Sequence, residues 1–104
     1  MRGMPEPNDD RPCRNLKDAG PAAEVEAVRQ LMRGLLVPYV VVSSDWAIGE
    51  WYGGGGGESL YKRHNGHWEL VASGGGAMGV SDLRAYGVPQ ADWCKFGIYD
   101  AQCR

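Results

Sequence analysis

Ser59-Leu60-Tyr61-Lys62-Arg63-His64-Asn65-Gly66-His67-Trp68-Glu69-Leu70-Val71-Ala72-Ser73 is a pair of strand-like runs joined by an Asn-Gly dipeptide. Both turn residues tolerate positive φ, as a type I′ turn requires, and a two-residue loop fixes the register of the hairpin it closes. That register sets His64 opposite His67, Arg63 opposite Trp68, Lys62 opposite Glu69, Tyr61 opposite Leu70 and Leu60 opposite Val71. One face then carries Tyr61, Arg63, Trp68, Leu70 and Ala72, and the other carries Leu60, Lys62, His64, His67, Glu69 and Val71. The first face is the more apolar and is expected to meet a helix, with the Arg63 stem over Trp68 at the rim. The Lys62 and Glu69 pair marks the second face as solvated.

Upstream, Tyr39-Val40-Val41-Val42 is aromatic and β-branched, and residues 46–52 alternate around Gly49. These are two strands, or one strand bent at Ser43-Ser44-Asp45. Before them, Pro21 stands where a helix would begin, with Glu24 and Glu26 in its early turns. Val25, Val28, Met32 and Leu35 then recur at helical spacing, flanked by Leu31 and Leu36, which predicts an amphipathic helix ending near 34–37. Downstream, Ser81 is a candidate N-cap for a short helix over 82–86 that Gly87 ends and Pro89 keeps from resuming. A second short turn follows over 89–93. The expected class is α+β, with an N-terminal helix packed on a three- or four-stranded antiparallel sheet in two layers, closed by a short C-terminal helix.

The whole chain is 104 residues, enough for one hydrophobic core and too few for two. Residues 1–20 are rich in Pro, Asp, Asn and Arg and are expected to be a flexible tail, leaving 21–104 as the single domain. A net charge of -2 without a basic patch argues against nucleic-acid binding. No apolar run reaches the roughly 18 to 20 residues of a membrane span, and the first residues lack the apolar core of a signal peptide, which reads as a soluble chain of open compartment. Cys13, Cys94 and Cys103 are an odd set; in an oxidising compartment a Cys94 to Cys103 loop is the natural closure, since Gly97 lets the chain turn back. None has a second cysteine at the spacing of a structural zinc site.

Sixteen glycines exceed the roughly 7% of average usage, and most fall in 53–57 and 74–79. The run 53–57 reads as a mobile connection between strands. Trp51 and Tyr52 stand just before it, and with Gly53, Gly55 and Glu58 they form the candidate surface for a protein partner or small ligand. Gly74, Gly76 and Gly79 spell G-x-G-x-x-G, but a hairpin strand precedes them and too little chain follows for a dinucleotide-binding unit. A smaller role remains, in which the amides of Gly75, Gly76, Gly79 and Ser81 hold an anion at a helix start, as a binding site or a small enzyme. His64 and His67, facing each other at the hairpin tip, can share copper or zinc, while the competing reading is two incidental histidines on an exposed tip. Catalytic motifs are thin: Ser43, Ser44 and Asp45 have no neighbouring histidine, and nothing in the sequence brings Cys94 to His64 or His67. The composite expectation is a non-catalytic binding or accessory module without a resident cofactor, copper or zinc being the alternative.

Four segments, Ser44-Asp45-Trp46-Ala47, Gly57-Glu58-Ser59-Leu60-Tyr61-Lys62-Arg63, Asn65-Gly66-His67-Trp68 and Gly87-Val88-Pro89, resemble a family of small bacterial proteins described as copper uptake system-associated. The resemblance covers residues 40–93, about half the chain. It implies periplasmic or secreted copper handling. The chain departs from the family pattern in its five-glycine run and in Ser73-Gly74-Gly75-Gly76-Ala77-Met78, which stands where relatives carry a cysteine-containing turn.

Overall fold

The computed structural model describes residues 16–97. Helix α1 (Ala22–Gln30) leads into a four-stranded antiparallel meander, β1 (Leu36–Ser43), β2 (Trp46–Tyr52), β3 (Gly56–His64) and β4 (His67–Gly74), in the spatial order β1-β2-β3-β4. Two short helices follow, α2 (Val80–Ala85) and α3 (Gln90–Trp93), the latter running into a 3-10 turn, Cys94–Phe96. The α+β class and the antiparallel sheet are as the sequence predicts, with four strands. The bend at Ser43-Ser44-Asp45 is a turn between two strands, and Ser44 adopts the left-handed region at φ 55.

Pro21 occupies the N-cap of α1, and its carbonyl accepts from the Glu24 and Val25 amides. The helix stops earlier than the apolar spacing suggests: from Leu31 the hydrogen bonds tighten to i→i+3 turns, Leu31 and Met32 donating to Val28 and Arg29, and Gly34 then takes positive φ ahead of β1. Val25, Val28 and Met32 nonetheless point into the core against Val40, Val42, Ala47, Tyr61 and Trp68. Arg63 fastens this layer: its guanidinium lies 5.3 Å from the Trp68 ring centre and pairs with Glu24 and Asp45, while the Trp68 indole N–H donates to Glu24 at 2.6 Å.

The Asn65-Gly66 turn has φ values of 52 and 80, and the first four cross-strand pairs stand as the two-residue loop demands. The fifth does not. A bulge at Val71 sets Leu60 opposite Ala72, so Val71 and Ala72 both turn to the face away from α1. Leu70, expected beneath α1, is 59% exposed, because α1 contacts β1 and β2 and does not reach the outer strand at that point.

The larger correction concerns the second face, which is solvated as expected at Lys62, His64, His67 and Glu69 near the hairpin tip but covered at its middle. Tyr39, Val41, Trp46, Ile48 and Leu60 meet Met78, Leu83, Val88, Trp93 and Phe96 from the C-terminal segment, making three layers with the sheet in the middle. Polar side chains support the docking: Ser43 Oγ donates to the buried Asp92 at 2.5 Å, and the Trp93 indole N–H to the Val88 carbonyl at 3.0 Å. Helix α2 starts at Gly79, whose amide donates to Asp82 at 2.9 Å, so Asp82 supplies the cap in place of Ser81, which lies within the helix. Gly87 ends it at φ 80, as expected.

Most of the tail expected at 1–20 lies outside the described residues. Its last part is tied down: Ala19 forms a parallel bridge with Val41, and Asp18 accepts from the Val40 amide at 2.9 Å and from both guanidinium nitrogens of Arg29. The Arg29 hydrogen bonds hold the Asp18 carboxyl below its ordinary range. A depressed folded value contributes stability above the unfolded pKa of about 3.9, and that contribution is lost as pH falls through the folded value. With the Asp18 side chain 46% exposed, solvent screening keeps the pair below about 1 kcal/mol. Asp18→Asn, which retains an acceptor for Val40, is therefore expected to be slightly less stable than the unaltered chain at pH 6, with the gap closing in acid. Denaturant titrations across that range check it; a gap independent of pH assigns the effect elsewhere.

Candidate functional site

The β2–β3 hairpin ends in the three residues Gly53, Gly54 and Gly55, closed by a hydrogen bond from the Gly53 amide to the Gly55 carbonyl at 2.8 Å. Gly56 and Gly57 belong to β3 and pair with Tyr52 and Trp51, so the five-glycine run is half strand and half loop. Antiparallel pairing sets Glu50 beside Glu58 on one face, with Tyr39 beyond Glu50 on β1. The chain leaving β4 crosses this end of the sheet. The result is an open cleft of about 260 Å³ lined by Glu50, Tyr52, Gly56, Gly57, Glu58, Gly75, Gly76 and Ala77.

Two regions far apart in sequence thus meet: Tyr52 and Glu58 from the candidate partner surface, and Gly75 and Gly76 from the candidate anion turn. Tyr52 is 45% exposed, and its hydroxyl donates to Glu50 at 3.1 Å. That bond, with the carboxylate charge behind it, holds the phenol above its ordinary range. Leu36, paired with Tyr52, and Leu35, against Gly53, are exposed apolar side chains at the same end of the sheet.

Glu58 departs from its expected role as a contact residue. It is 2% exposed, and its oxygens are engaged from within, one accepting from the Tyr39 hydroxyl and the other from the Met78 amide at 2.7 Å. Its work is to hold the crossing segment onto the sheet. Trp51 is half-buried instead of exposed; it faces the α1 side, and its indole N–H is enclosed without an acceptor among the described residues. Gly53 and Gly55 are exposed as expected.

At the candidate anion turn, the Met78 and Gly79 amides already donate to carboxylates, those of Glu58 and Asp82. Two negative groups at these positions oppose an added anion. His64 and His67 are cross-strand partners and exposed, at the far end of β3 from Gly56, roughly 27 Å away at about 3.3 Å per residue. Among the described residues no group of three or more His, Cys, Asp or Glu is placed to hold a metal ion. Cys94 is disulfide-bonded, and Cys13 and Cys103 lie outside the described residues, as does the expected Cys94 to Cys103 closure.

Comparison with protein families, curated proteins and solved structures gives no match. Among the described residues, no helix is long and apolar enough to cross a membrane. Glu50, Gly56, Gly57 and Ala77 are the cleft residues that sequence reasoning missed. Glu50 carried a readable signal, since alternation along 46–52 sets it on the same face as Tyr52.

Proposed function

We propose that this domain is a non-catalytic binding module that engages a protein partner or small ligand through the glycine-rich end of its sheet. The observation that carries the reading is the convergence of exposed Tyr52, the Glu50 carboxylate and the glycine-walled backbone on one open cleft. Such a surface offers an aromatic face, an acceptor and accessible backbone, the mixture that recognises a ligand without chemical change. The Cys94 disulfide supports an oxidising compartment, periplasmic or extracellular.

The test is an NMR screen of the labelled full chain against small polar ligands and short peptides, read at the backbone amides. Binding is expected to move Glu50, Tyr52, Gly57 and Gly76, and Tyr52→Ala is expected to abolish those shifts while changing stability by less than about 0.5 kcal/mol, as for an exposed residue. Shifts confined to other surfaces, or none across the screen, would sink the reading.

A second reading rests on the pairing of His64 with His67: a weak copper or zinc accessory site at the hairpin tip. Titration with Cu(I), Cu(II) and Zn(II), followed at the two imidazoles, decides it, and affinity unchanged in the His64→Ala, His67→Ala double variant rejects it.

A further inference from the structure

The two edges of the sheet are finished differently. Along β1, Ala19 hydrogen-bonds Val40 and Val42, Asp18 takes the Val40 amide, and Pro38 offers no N–H. Along the outer side of β4, no described residue makes a backbone pair. The parity of that edge is fixed by the hairpin: the Arg63 amide donates away from β4, to the Asp45 carbonyl at 2.7 Å, and its partner Trp68 therefore turns its own N–H and C=O outward. Leu70, two residues on, does the same. Open edges of this kind are a liability that natural sheets ordinarily block with charge, proline or a covering segment.

Beside the C-terminal half of this edge runs a groove of about 210 Å³ between β4 and α2, lined by Ala72, Ser73, Gly74, Met78, Asp82 and Tyr86 among others. Two of the large apolar side chains left exposed flank the strand, Leu70 at 59% and Tyr86 at 47%. The groove is acidic, with Asp82 in it and no Lys or Arg among its lining residues, and Glu69 on the strand has Lys62 as its cross-strand neighbour on β3.

We propose that β4 is a docking edge for an extended segment of a partner protein, which adds a fifth strand by pairing with Trp68 and Leu70. The segment sets an apolar side chain in the groove beside Met78 and Tyr86 and a basic one against Asp82. Charge selects this occupant over a second copy of the chain, because antiparallel self-pairing through Trp68 and Leu70 would set Glu69 directly opposite Glu69 of the other copy. The groove adjoins the Tyr52 cleft, sharing Gly76 and Ala77 with it, while Trp68 and Leu70 on the strand edge lie outside the cleft.

The probe is the peptide acetyl-Thr-Val-Thr-Lys-Thr-Val-Thr-amide, whose Val and Lys side chains share one face of a strand, added to the labelled full chain, with the Glu-for-Lys peptide as control. The Trp68 and Leu70 amides are expected to exchange quickly in the free chain, and to shift saturably and slow their exchange at least tenfold with the Lys peptide. Asp82→Asn, which keeps an acceptor for the Gly79 amide, is expected to weaken binding by about two- to five-fold, the range of an exposed ion pair. N-methylation of alternate peptide nitrogens, removing the strand hydrogen bonds, is expected to abolish it. The proposal is overturned if the two amides are already protected in the dilute free chain, if their protection grows with protein concentration, or if the Glu peptide binds as well. It is also overturned if the peptide moves only residues 50–57, an outcome that would support the cleft reading.

Discussion

Glu58→Ala is expected to lower the stability of the domain by about 3 kcal/mol or more, the scale of removing the shared acceptor of two buried donors. The carboxylate is almost wholly enclosed and accepts from two separate parts of the fold, the Tyr39 hydroxyl on β1 and the Met78 amide in the segment crossing from β4 to α2. Hydrogen bonds to a charged group contribute about 1.5 to 3 kcal/mol each, and truncation removes the acceptor of both donors at once. For a domain of this size a loss of 3 kcal/mol lowers the melting midpoint by roughly 12 to 24 °C. Glu58→Gln separates charge from shape: it keeps the volume and one good acceptor but turns an amide N–H₂ toward a donor, and an intermediate loss is expected. Denaturant unfolding of both variants, with Tyr39→Phe alone and combined, measures the coupling. Additive losses for Tyr39→Phe and Glu58→Ala would show that the two side chains do not act together.

Gly57→Ala is expected to cost about 3 kcal/mol or more, at or beyond the upper end for overpacking, whereas Gly74→Ala, its close neighbour, is expected to cost less than about 1 kcal/mol. A methyl group at Gly57 would lie 1.9 Å from the Gly74 carbonyl oxygen and 2.9 Å from the Trp51 ring. The first obstacle is backbone, which cannot rotate aside, so β3 and β4 must separate where the cleft begins. At Gly74 the added carbon meets nothing within 4 Å. Two glycines of similar sequence context thus differ because one is a packing requirement and the other is not. Equal melting midpoints for the two variants would mean that the strands part here without cost.

What could be read in the sequence was what local chemistry decides. Asn65-Gly66 sets its turn through the φ preferences of two residues, and the four pairs nearest it follow. The register fails at Val71 because the bulge sets Val71 and Ala72 against a core cluster whose other members lie outside any local window. The second layer was hidden for a related reason: Met78, Leu83, Val88, Trp93 and Phe96 are spaced by turns and two short helices, and so show neither a helical nor an alternating period. The solvated appearance of that face came from Lys62, His64, His67 and Glu69 near the hairpin tip, while Leu60, Ile48 and Tyr39 nearer the middle carry the core. Exposure of Tyr52 and the open glycine loop was legible from composition; enclosure of Glu58 was not, since it depends on where residues 74–78 cross the sheet. The turn at Ser44 was hidden because a serine at positive φ leaves no mark of the kind that glycine does.

The middle position of the sheet also has a meaning in time. A ribosome delivers α1 and the four strands before it delivers Val88, Trp93 and Phe96. In that interval Tyr39, Val41, Ile48 and Leu60 form a bare apolar face on an otherwise finished meander. The nascent chain is therefore most prone to stick to its neighbours in that interval, and a truncation that removes α3 and the turn after it would release a sheet with much of that face uncovered.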